Sequence, residues 1–435
     1  LWSAETPNLY RLTVTLLDPE KRVVEATGCD IGFKSVELKG GNILVNGQPV
    51  KFFGVNRHDF DPVHGKTVPF ELMRRDVELM KSFNFNAVRT CHYPDQSLWY
   101  DLCDRNGIYM IDETNLESHG SWQKLGAVEP SWNVPGSLPE WKDCVVDRAR
   151  SMFERDKNHA AVLIWSCGNE SYAGEDILAM SQFFHDHDPG RLVHYEGVFH
   201  CRAFDAISDM ESRMYAKPWE IREYLESHPK KPFILCEYMH DMGNSLGGME
   251  SYVKLADEFD QYQGGFIWDF VDQAIWHKDR YGKDALAYGG DFGDRPNDGN
   301  FSGDGILFAD RKLTTKMQDV KFNYQNFDLD VTAEQVTIHN KSLFTDTASY
   351  ELHLELMLDG KTIWETTADA PHILPGESGT VSLEDLPLTN AGEETVTASL
   401  CLKEDTLWAK RGFEIAFGQG TWHVDEVEVP EPQEA

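Results

Sequence analysis

The chain has 435 residues and a formal net charge of −33, from 40 basic and 73 acidic side chains. A charge of this sign argues against nucleic acid or an anionic membrane surface as the partner. The sequence contains no continuous apolar run of about 18 residues, so it predicts no membrane span.

The first 36 residues alternate apolar and polar positions, as in "LYRLTVTLL" and "RVVEATGCDIGF". Such period-2 alternation predicts two or three antiparallel strands, which are too few to fold alone. We therefore predict that residues 1–36 are the C-terminal part of an immunoglobulin-like β-sandwich whose start is absent. The first residue is Leu1 rather than Met, and no signal peptide is visible, so the true N-terminus is expected to lie upstream.

Residues 37–326 alternate short apolar runs with amphipathic stretches. The apolar runs predict eight strands, at residues 50–56, 87–93, 108–116, 161–170, 192–197, 206–213, 232–238 and 264–273. Helices are predicted between them, the first at residues 69–84, and Gly107 is expected to end the second. Eight such units in about 275 residues predict an α/β fold, a TIM (β/α)8 barrel. A doubly wound open sheet is the alternative, but no glycine-rich phosphate-binding motif follows the first strand.

Residues 327–435 return to period-2 alternation with turn signals such as "LDGK". This pattern predicts a second immunoglobulin-like β-sandwich, so the barrel is expected to be flanked by two such domains. The last eleven residues, "DEVEVPEPQEA", are acidic and contain proline, which predicts a disordered tail or linker.

The eight cysteines form no CxxC pair, and Cys91, Cys167 and Cys236 lie inside predicted core strands. This usage is typical of reduced, buried thiols rather than of a disulfide framework. We therefore predict a cytoplasmic protein.

Functional residues of a TIM barrel collect at the C-terminal ends of its strands. Glu170 and Glu237 follow apolar runs on the fourth and seventh predicted strands, which face each other across the barrel mouth. An unpaired buried carboxylate is costly, so each of these residues needs a partner, a metal or a chemical role. Two carboxylates facing one cavity are what glycoside hydrolysis requires, one as the proton donor and the other as the nucleophile.

Seven motifs occur in order along the chain. They are "GVNRHD", "NAVRTCHYP", "DETNLESHG", "WSCGNES", "ILCEYMHDMGNS", "GGFIWDFVDQ" and "NFSGDGILFADR". Together they resemble the β-galactosidases of glycoside hydrolase family 2, over essentially the whole chain. The resemblance implies a retaining enzyme that hydrolyses terminal β-D-galactosyl residues of lactose-like substrates by double displacement.

The same resemblance implies a role for each matching residue. Glu170 corresponds to the acid/base and Glu237 to the nucleophile, while His58 and His92 correspond to residues that stabilise the transition state. Contacts with the sugar or with the nucleophile are implied for Asn169, Tyr215, His240, Trp268, Asp304 and Arg89.

Metal sites are implied as well. The resemblance gives Mg²⁺ as the cofactor, with ligands Glu117, His119 and Glu170 and a second position at Asn297. It also gives a Na⁺ or K⁺ site that includes the Phe301 carbonyl and Asp304. Asp304 stands where the family pattern has asparagine, so the identity of that monovalent cation stays open.

Other activities remain alternatives. β-Glucuronidase and β-mannosidase share the scaffold, but the Asn-Lys pair with which glucuronidases bind the substrate carboxylate is not found at its expected place. A non-catalytic carbohydrate-binding subunit is a further alternative, against which stands the presence of both Glu170 and Glu237. Family members also begin with a jelly-roll domain, and many end with a further β-domain. We therefore predict, besides the small galactoside substrate, a homo-oligomer or a complex with chains that carry the missing domains.

Overall fold

The computed structural model describes residues 1–122, 133–387 and 391–425. These residues form two compact units, one containing residues 1–81 and 85–323, the other containing residues 82–84 and the chain from residue 324 onward. In the described ranges, no helix is long and apolar enough to cross a lipid bilayer. The predicted acidic tail lies outside the described residues, except for Asp425.

The chain begins with an antiparallel hairpin of strands β1 (Tyr10–Leu17) and β2 (Val23–Ile31). Its apolar side chains at Leu12, Val14 and Leu16 are 45–58% exposed, so no layer within the described residues covers them. The apolar–polar alternation of residues 1–36 predicted these two antiparallel strands correctly. A small sheet that was not predicted follows, made of β3 (Val36–Lys39), β4 (Asn42–Val45) and β5 (Gln48–Pro49).

Over the described residues, eight parallel strands form the barrel sheet. In chain order they are β6 (Phe52–Arg57), β7 (Ala87–Thr90), β8 (Tyr109–Glu113), β9 (Val162–Ser166), β10 (Leu192–His194), β11 (Glu211–Met214), β12 (Phe233–Tyr238) and β13 (Tyr262–Ile267). They pair in the order β10–β9–β8–β7–β6–β13–β12–β11, so the first and last strands of the series are neighbours. The barrel is nearly closed, and the TIM-barrel prediction is confirmed.

The seam of the barrel lies between β10 and β11, which share no strand pairing in the described part of the chain. Asp209 bridges this seam just before β11 begins. Its carboxylate accepts a hydrogen bond from the Val193 backbone N–H at 2.7 Å, and its own N–H donates to the Val193 carbonyl at 2.8 Å.

Helices lie between and after these strands. They are α1 (Phe70–Ser82), α2 (Ser97–Asn106), α3 (His119–Trp122), α4 (Pro139–Asp156), α5 (Glu175–His187), α6 (Pro218–Glu226), α7 (Glu250–Glu258) and α8 (Lys316–Asn323). Helix α1 buries Met73, Val77 and Met80, which are spaced to fall on one stripe. Helix α2 ends as expected at Gly107, whose φ of 72° suits glycine and whose N–H donates to the Cys103 carbonyl.

Two local predictions differ from the structure. The strand predicted at residues 206–213 begins later, at Glu211, because Arg202–Ile207 forms a 3₁₀ turn. A hairpin of β14 (Ile275–Lys278) and β15 (Asp284–Ala287) follows the last barrel strand and was not predicted. Its four-residue strands are too short for an alternation signal.

The second unit is a sandwich-like pair of antiparallel sheets. Its strands are β16 (Phe327–Val331), β17 (Gln335–Asn340), β18 (Tyr350–Leu358), β19 (Lys361–Asp369), β20 (Ser378–Ser382), β21 (Gly392–Leu402) and β22 (Glu414–Val424). One sheet has the order β16–β17–β20 and the other β19–β18–β21–β22. Side chains from both sheets, including Val336, Ile338, Leu356 and Val396, share one buried core.

The barrel strands explain where polar chemistry can occur. Every residue of β9 and of β12 is buried, as expected for strands covered on both faces. Glu237 lies near the C-terminal end of β12, and Glu170 lies four residues beyond the end of β9.

Candidate active site

Glu237 is held through both of its carboxylate oxygens. Oε1 accepts a hydrogen bond from Arg89 Nη1 at 2.9 Å, and Oε2 accepts one from the Tyr215 hydroxyl at 2.8 Å. Glu237 is only 3% exposed. The Arg89 charge compensates the cost of burying the carboxylate, and the two donors fix the direction in which its lone pairs point.

Tyr215 remains a hydrogen-bond donor at this position. Burial, and next the negative charge of Glu237, raise the pKa of its phenol well above the ordinary value. Tyr215 directly follows β11, and its backbone N–H donates to the Glu237 carbonyl at 2.8 Å. The side chain is therefore positioned by the same strand pair that carries Glu237.

Arg89, on β7, is fully buried and hydrogen-bonds to four neighbouring side chains at 3.0 Å or less. Besides Glu237, its guanidinium donates to Asn56 Oδ1 at 3.0 Å and to Asn169 Oδ1 at 2.8 Å. It also forms a two-pronged ion pair with Glu113, at 2.7 and 3.0 Å. A rigid planar donor of this kind sets the relative positions of all the groups it contacts.

Glu113 accepts four hydrogen bonds. Two come from Arg89, one comes from Ser166 Oγ at 2.8 Å, and the fourth joins Oε1 to His92 Nδ1 at 2.8 Å. Because an ionised carboxylate only accepts, His92 carries its proton on Nδ1 and presents a lone pair at Nε2. Burial, and next the Arg89 charge, lower the pKa of His92 to about 3, so the ring is neutral.

Glu170 differs from Glu237 in its surroundings. Burial, and next the negative charge of Glu237, raise the pKa of the Glu170 carboxyl, which favours its protonated form. His119 Nε2 lies 2.7 Å from Glu170 Oε2, and the charge of His119 lowers the pKa of Glu170. The backbone is also unusual, with φ of 37°, and its N–H donates to the buried carboxyl of Glu196 at 2.6 Å.

The predicted magnesium ligands come together. Glu117, His119 and Glu170 each offer a ligand atom, and these atoms all lie within 4.8 Å of one another. Asn169 joins this group to Arg89, because its amide nitrogen donates to Glu117 Oε2 at 2.9 Å. Burial first, and then the nearby carboxylates, raise the pKa of Glu117 to about 7, although this hydrogen bond lowers it.

An aromatic wall closes one side of the site. The Trp268 ring stacks on His92, with centroids 5.2 Å apart and planes within 9°, and meets His58 edge-on at 5.6 Å. His58 Nδ1 lies 2.9 Å from the Tyr93 hydroxyl. Burial lowers the pKa of His58 well below its ordinary value, so the wall is uncharged.

Asp304 anchors the other edge of Trp268. Its Oδ2 accepts a hydrogen bond from the Trp268 indole N–H at 2.8 Å and lies 3.7 Å from His240 Nε2. The centre of the Phe301 ring lies 6.3 Å from that of the His240 ring. The Oδ1 atom of Asp304 is buried without a hydrogen-bond partner. Asn297 lies instead in an exposed loop, where its amide contacts Asp294 and Gly299.

Sequence reasoning assigned no role to the supporting side chains, chiefly Glu113, Asn56 and Glu196. Each is buried and contacts a predicted site residue. The signal was available for Glu113, because a glutamate at the end of an all-buried strand needs a partner. No sequence feature indicated that its partners are Arg89 and His92.

Known families match three parts of the chain. The family described as "Glycosyl hydrolases family 2, TIM barrel domain" matches residues 36–329. The chain belongs to glycoside hydrolase family 2. Two further descriptions, "Glycosyl hydrolases family 2" and "Beta-galactosidase, domain 4", match residues 1–34 and 336–422.

Individual family 2 relatives are similar along most of the chain. A protein of Halalkalibacterium halodurans named β-galactosidase is 54% identical over 430 residues, which is 98% of this chain and 42% of that protein. The β-galactosidase large subunit of Leuconostoc lactis is 54% identical over 327 residues, 74% of this chain and 52% of the subunit. The chain thus spans about half the length of these two relatives.

A β-glucuronidase of Bacteroides uniformis has a similar fold, with a TM-score of 0.59 at 17% identity. The match covers 98% of this chain and 52% of the glucuronidase chain. At this level of identity the similarity concerns the fold alone.

Proposed function

We propose that this family 2 chain carries a retaining β-galactosidase activity, releasing terminal β-D-galactosyl residues from lactose-like substrates. The observation that carries the proposal is the contrast between the two carboxylates. Glu237 is paired with Arg89 and Tyr215, while burial and the Glu237 charge favour the protonated form of Glu170. The relatives named β-galactosidase support galactose as the sugar.

In the first step, a Glu237 oxygen attacks the anomeric carbon while the bond to the leaving oxygen breaks. Glu170 gives its proton to that oxygen, so the aglycone departs as a neutral alcohol. In the second step, Glu170 takes a proton from water, the water oxygen bonds to the anomeric carbon, and the ester bond to Glu237 breaks. Two inversions leave the released galactose in the β configuration.

The neighbouring residues are proposed to bind the sugar. His92 offers a lone pair at Nε2, about 4 Å from Glu117 Oε2 and Glu237 Oε1, which is room for a hydroxyl group between them. Trp268 offers an apolar ring face, which suits the C–H face of a sugar. Asn169, His58 and His240 are proposed as further hydroxyl contacts.

Tyr215 is expected to contribute measurably to catalysis. Tyr215→Phe removes a hydrogen bond to a charged acceptor, which should lower kcat/KM for nitrophenyl galactosides by about tenfold to hundredfold. Tyr224→Phe is a suitable control, because Tyr224 lies on helix α6 and its hydroxyl donates to the Lys231 carbonyl, not to Glu237. Equal kcat/KM values for Tyr215→Phe and the parent protein would contradict this role.

The donor set of Glu117, His119 and Glu170 fits Mg²⁺, which in proteins usually takes one or two carboxylates and completes its shell with water. A cation bound there would lower the pKa of Glu170 by its positive charge. The protein residues would orient the carboxyl, with His119 holding Oε2 and the Glu196 carboxyl holding the Glu170 backbone N–H.

Removal of the metal should therefore shift the pH profile. Without the cation the pKa of Glu170 rises, so the alkaline limb of kcat, where the acid loses its proton, should move up by about one pH unit. The measurement compares chelator-treated protein, shown metal-free by elemental analysis, with the same sample after Mg²⁺ is restored. An identical alkaline limb in both samples would overturn the assignment of Glu170 as a metal ligand.

A monovalent cation is proposed next to Asp304, where the orphaned Oδ1 is a suitable ligand and the Phe301 carbonyl is the second candidate. Asn297 is a weaker candidate for a second Mg²⁺, because its own loop already uses its amide group.

The activity is tested by comparing nitrophenyl β-galactoside, β-glucuronide and β-mannoside as substrates. We expect turnover of the galactoside, with β-galactose as the first product detected by NMR. Preferential turnover of another glycoside would replace the substrate assignment. Sugar binding without turnover would instead identify a carbohydrate-binding subunit.

Relatives named as large subunits support a complex with another chain, and a homo-oligomer is the alternative arrangement. Cys91, Cys103, Cys167 and Cys236 are buried free thiols, which supports a reducing compartment such as the cytoplasm.

A further inference from the structure

A second cluster of metal-binding atoms includes two side chains of the aromatic wall, His58 and His92. Cys91 Sγ and a ring nitrogen from each of His58 and His92 lie within 4.8 Å of one another. Cys91 follows β7 and is fully buried, whereas His92 retains some exposure toward the site. The cluster thus combines a fully buried thiol with an imidazole that solvent can reach.

The two imidazoles are already held as metal-ligating histidines usually are. His92 gives its Nδ1 proton to the Glu113 carboxylate, an arrangement that commonly orients a histidine toward a metal through Nε2. His58 lies 2.9 Å from the Tyr93 hydroxyl oxygen through its own Nδ1. In the tautomer that carries its proton on Nδ1, His58 would likewise present a lone pair at Nε2, and the Tyr93 oxygen would accept from both His58 and Lys66 Nζ, the latter at 2.6 Å.

The donor chemistry differs from that of the Glu117, His119 and Glu170 group. One thiolate and two neutral imidazoles favour Zn²⁺ and other thiophilic ions, whereas carboxylates favour Mg²⁺. A tetrahedral zinc site with bonds of about 2.0 to 2.3 Å separates its donors by about 3.5 Å. Because the three donors lie within 4.8 Å of one another, they would have to approach by at most about 1.3 Å.

We propose that His58, Cys91 and His92 form a binding site for a thiophilic metal ion such as Zn²⁺, which blocks the sugar site when occupied. The thiol loses its proton to solvent as sulfur bonds to the metal, so the site gains one net positive charge. Burial raises the pKa of the Cys91 thiol, so the metal must displace its proton, and the negative charges of Glu113 and Glu237, which also act on Cys91, would offset the added charge. Three protein ligands leave the fourth position open to water.

The blocking effect rests on the proposed galactosidase function, but the metal site does not. His92 and His58 form the wall against which the sugar is proposed to bind. A metal bound between these rings would withdraw both lone pairs from substrate hydroxyls. Zn²⁺ is therefore expected to inhibit competitively with respect to the galactoside.

The test uses Co²⁺ as a spectroscopic probe on metal-free protein purified in its native assembly. Binding through Cys91 should produce a thiolate-to-cobalt charge-transfer band in the near ultraviolet, which carboxylate and imidazole ligands alone do not give. Cys91→Ser, and Cys91→Ala as a second variant, should lose this band and bind Zn²⁺ about tenfold or more weakly. Cys103→Ser is the matched control, because Cys103 is equally buried but lies on helix α2, outside the cluster.

A charge-transfer band that persists in the Cys91 variants, or that is absent from the parent protein, would overturn the proposal. Zn²⁺ inhibition of equal strength in the parent and in Cys91→Ser would overturn the blocking effect. Cobalt binding through Cys91 in a protein without galactosidase turnover would refute the proposed function alone. Thermal melting of each variant confirms that the folded protein is being compared.

Discussion

Replacing Glu237 with glutamine is expected to abolish formation of the glycosyl-enzyme and to lower galactoside turnover by about 10⁴-fold or more, the scale seen when a key catalytic residue is lost. Glutamine keeps the size of the side chain and a carbonyl oxygen that can accept from Arg89 or Tyr215, so the surrounding geometry should persist. The amide cannot act as the nucleophile. The measurement is mass spectrometry after incubation with a 2-fluoro-galactoside, which should add one sugar to the parent protein and none to the variant.

Glu211→Gln is the matched control for this experiment. Glu211 lies on the neighbouring strand β11, is 2% exposed, and is ion-paired with Arg202 and Arg213. Its substitution should lower thermal stability, because it breaks pairs at a buried carboxylate, yet leave labelling intact. Peptide mapping that placed the label on any residue other than Glu237 would refute the nucleophile assignment.

Replacing Glu170 with glycine should slow lactose hydrolysis by about 10²-fold to 10⁴-fold, the range expected for loss of general acid catalysis. Dinitrophenyl galactoside should lose far less kcat/KM, because its leaving group departs without a proton. Glycine also suits the backbone here, since φ at Glu170 is 37°. The measurement compares kcat/KM for the two substrates in the variant and in the parent protein.

Azide supplies the control for Glu170→Gly. An anion needs no general base, so azide should attack the accumulated glycosyl-enzyme, restore turnover of the aryl substrate and yield β-galactosyl azide, identified by NMR. Azide should have no effect on Glu237→Gln, which forms no such intermediate. Equal losses on lactose and on the aryl galactoside would count against Glu170 as the acid.

The barrel could be predicted from the sequence because its strands are short apolar runs, such as residues 162–166 and 233–238, flanked by amphipathic helices. The 3₁₀ turn at Arg202–Ile207 could not, because Ala206 and Ile207 continue the apolar character of a strand. Asp209 then contacts Val193 through its side chain and its backbone N–H, and these contacts between residues 16 positions apart are not visible in the sequence.

The two carboxylates could be predicted because each appears after an apolar run where a parallel barrel exposes its strand ends. The network around them could not. The carboxylate and amide partners of Arg89 are 24 to 148 positions away in the chain, and the barrel fold brings these together. Asn297 was predicted as a metal ligand from a motif match. The match does not reveal that its side chain hydrogen-bonds within its own loop.

The electrostatic coupling between Glu237 and Glu170 has a consequence for the order of events in the reaction. While Glu237 is ionised, its charge raises the pKa of Glu170 and keeps a proton there for the departing aglycone. Once Glu237 is esterified to the sugar, that charge is gone, so the pKa of Glu170 falls and the group becomes ready to accept a proton from water. In the proposed mechanism, the pKa of Glu170 would thus follow the covalent state of Glu237, and Glu170 would change from proton donor to proton acceptor within each turnover.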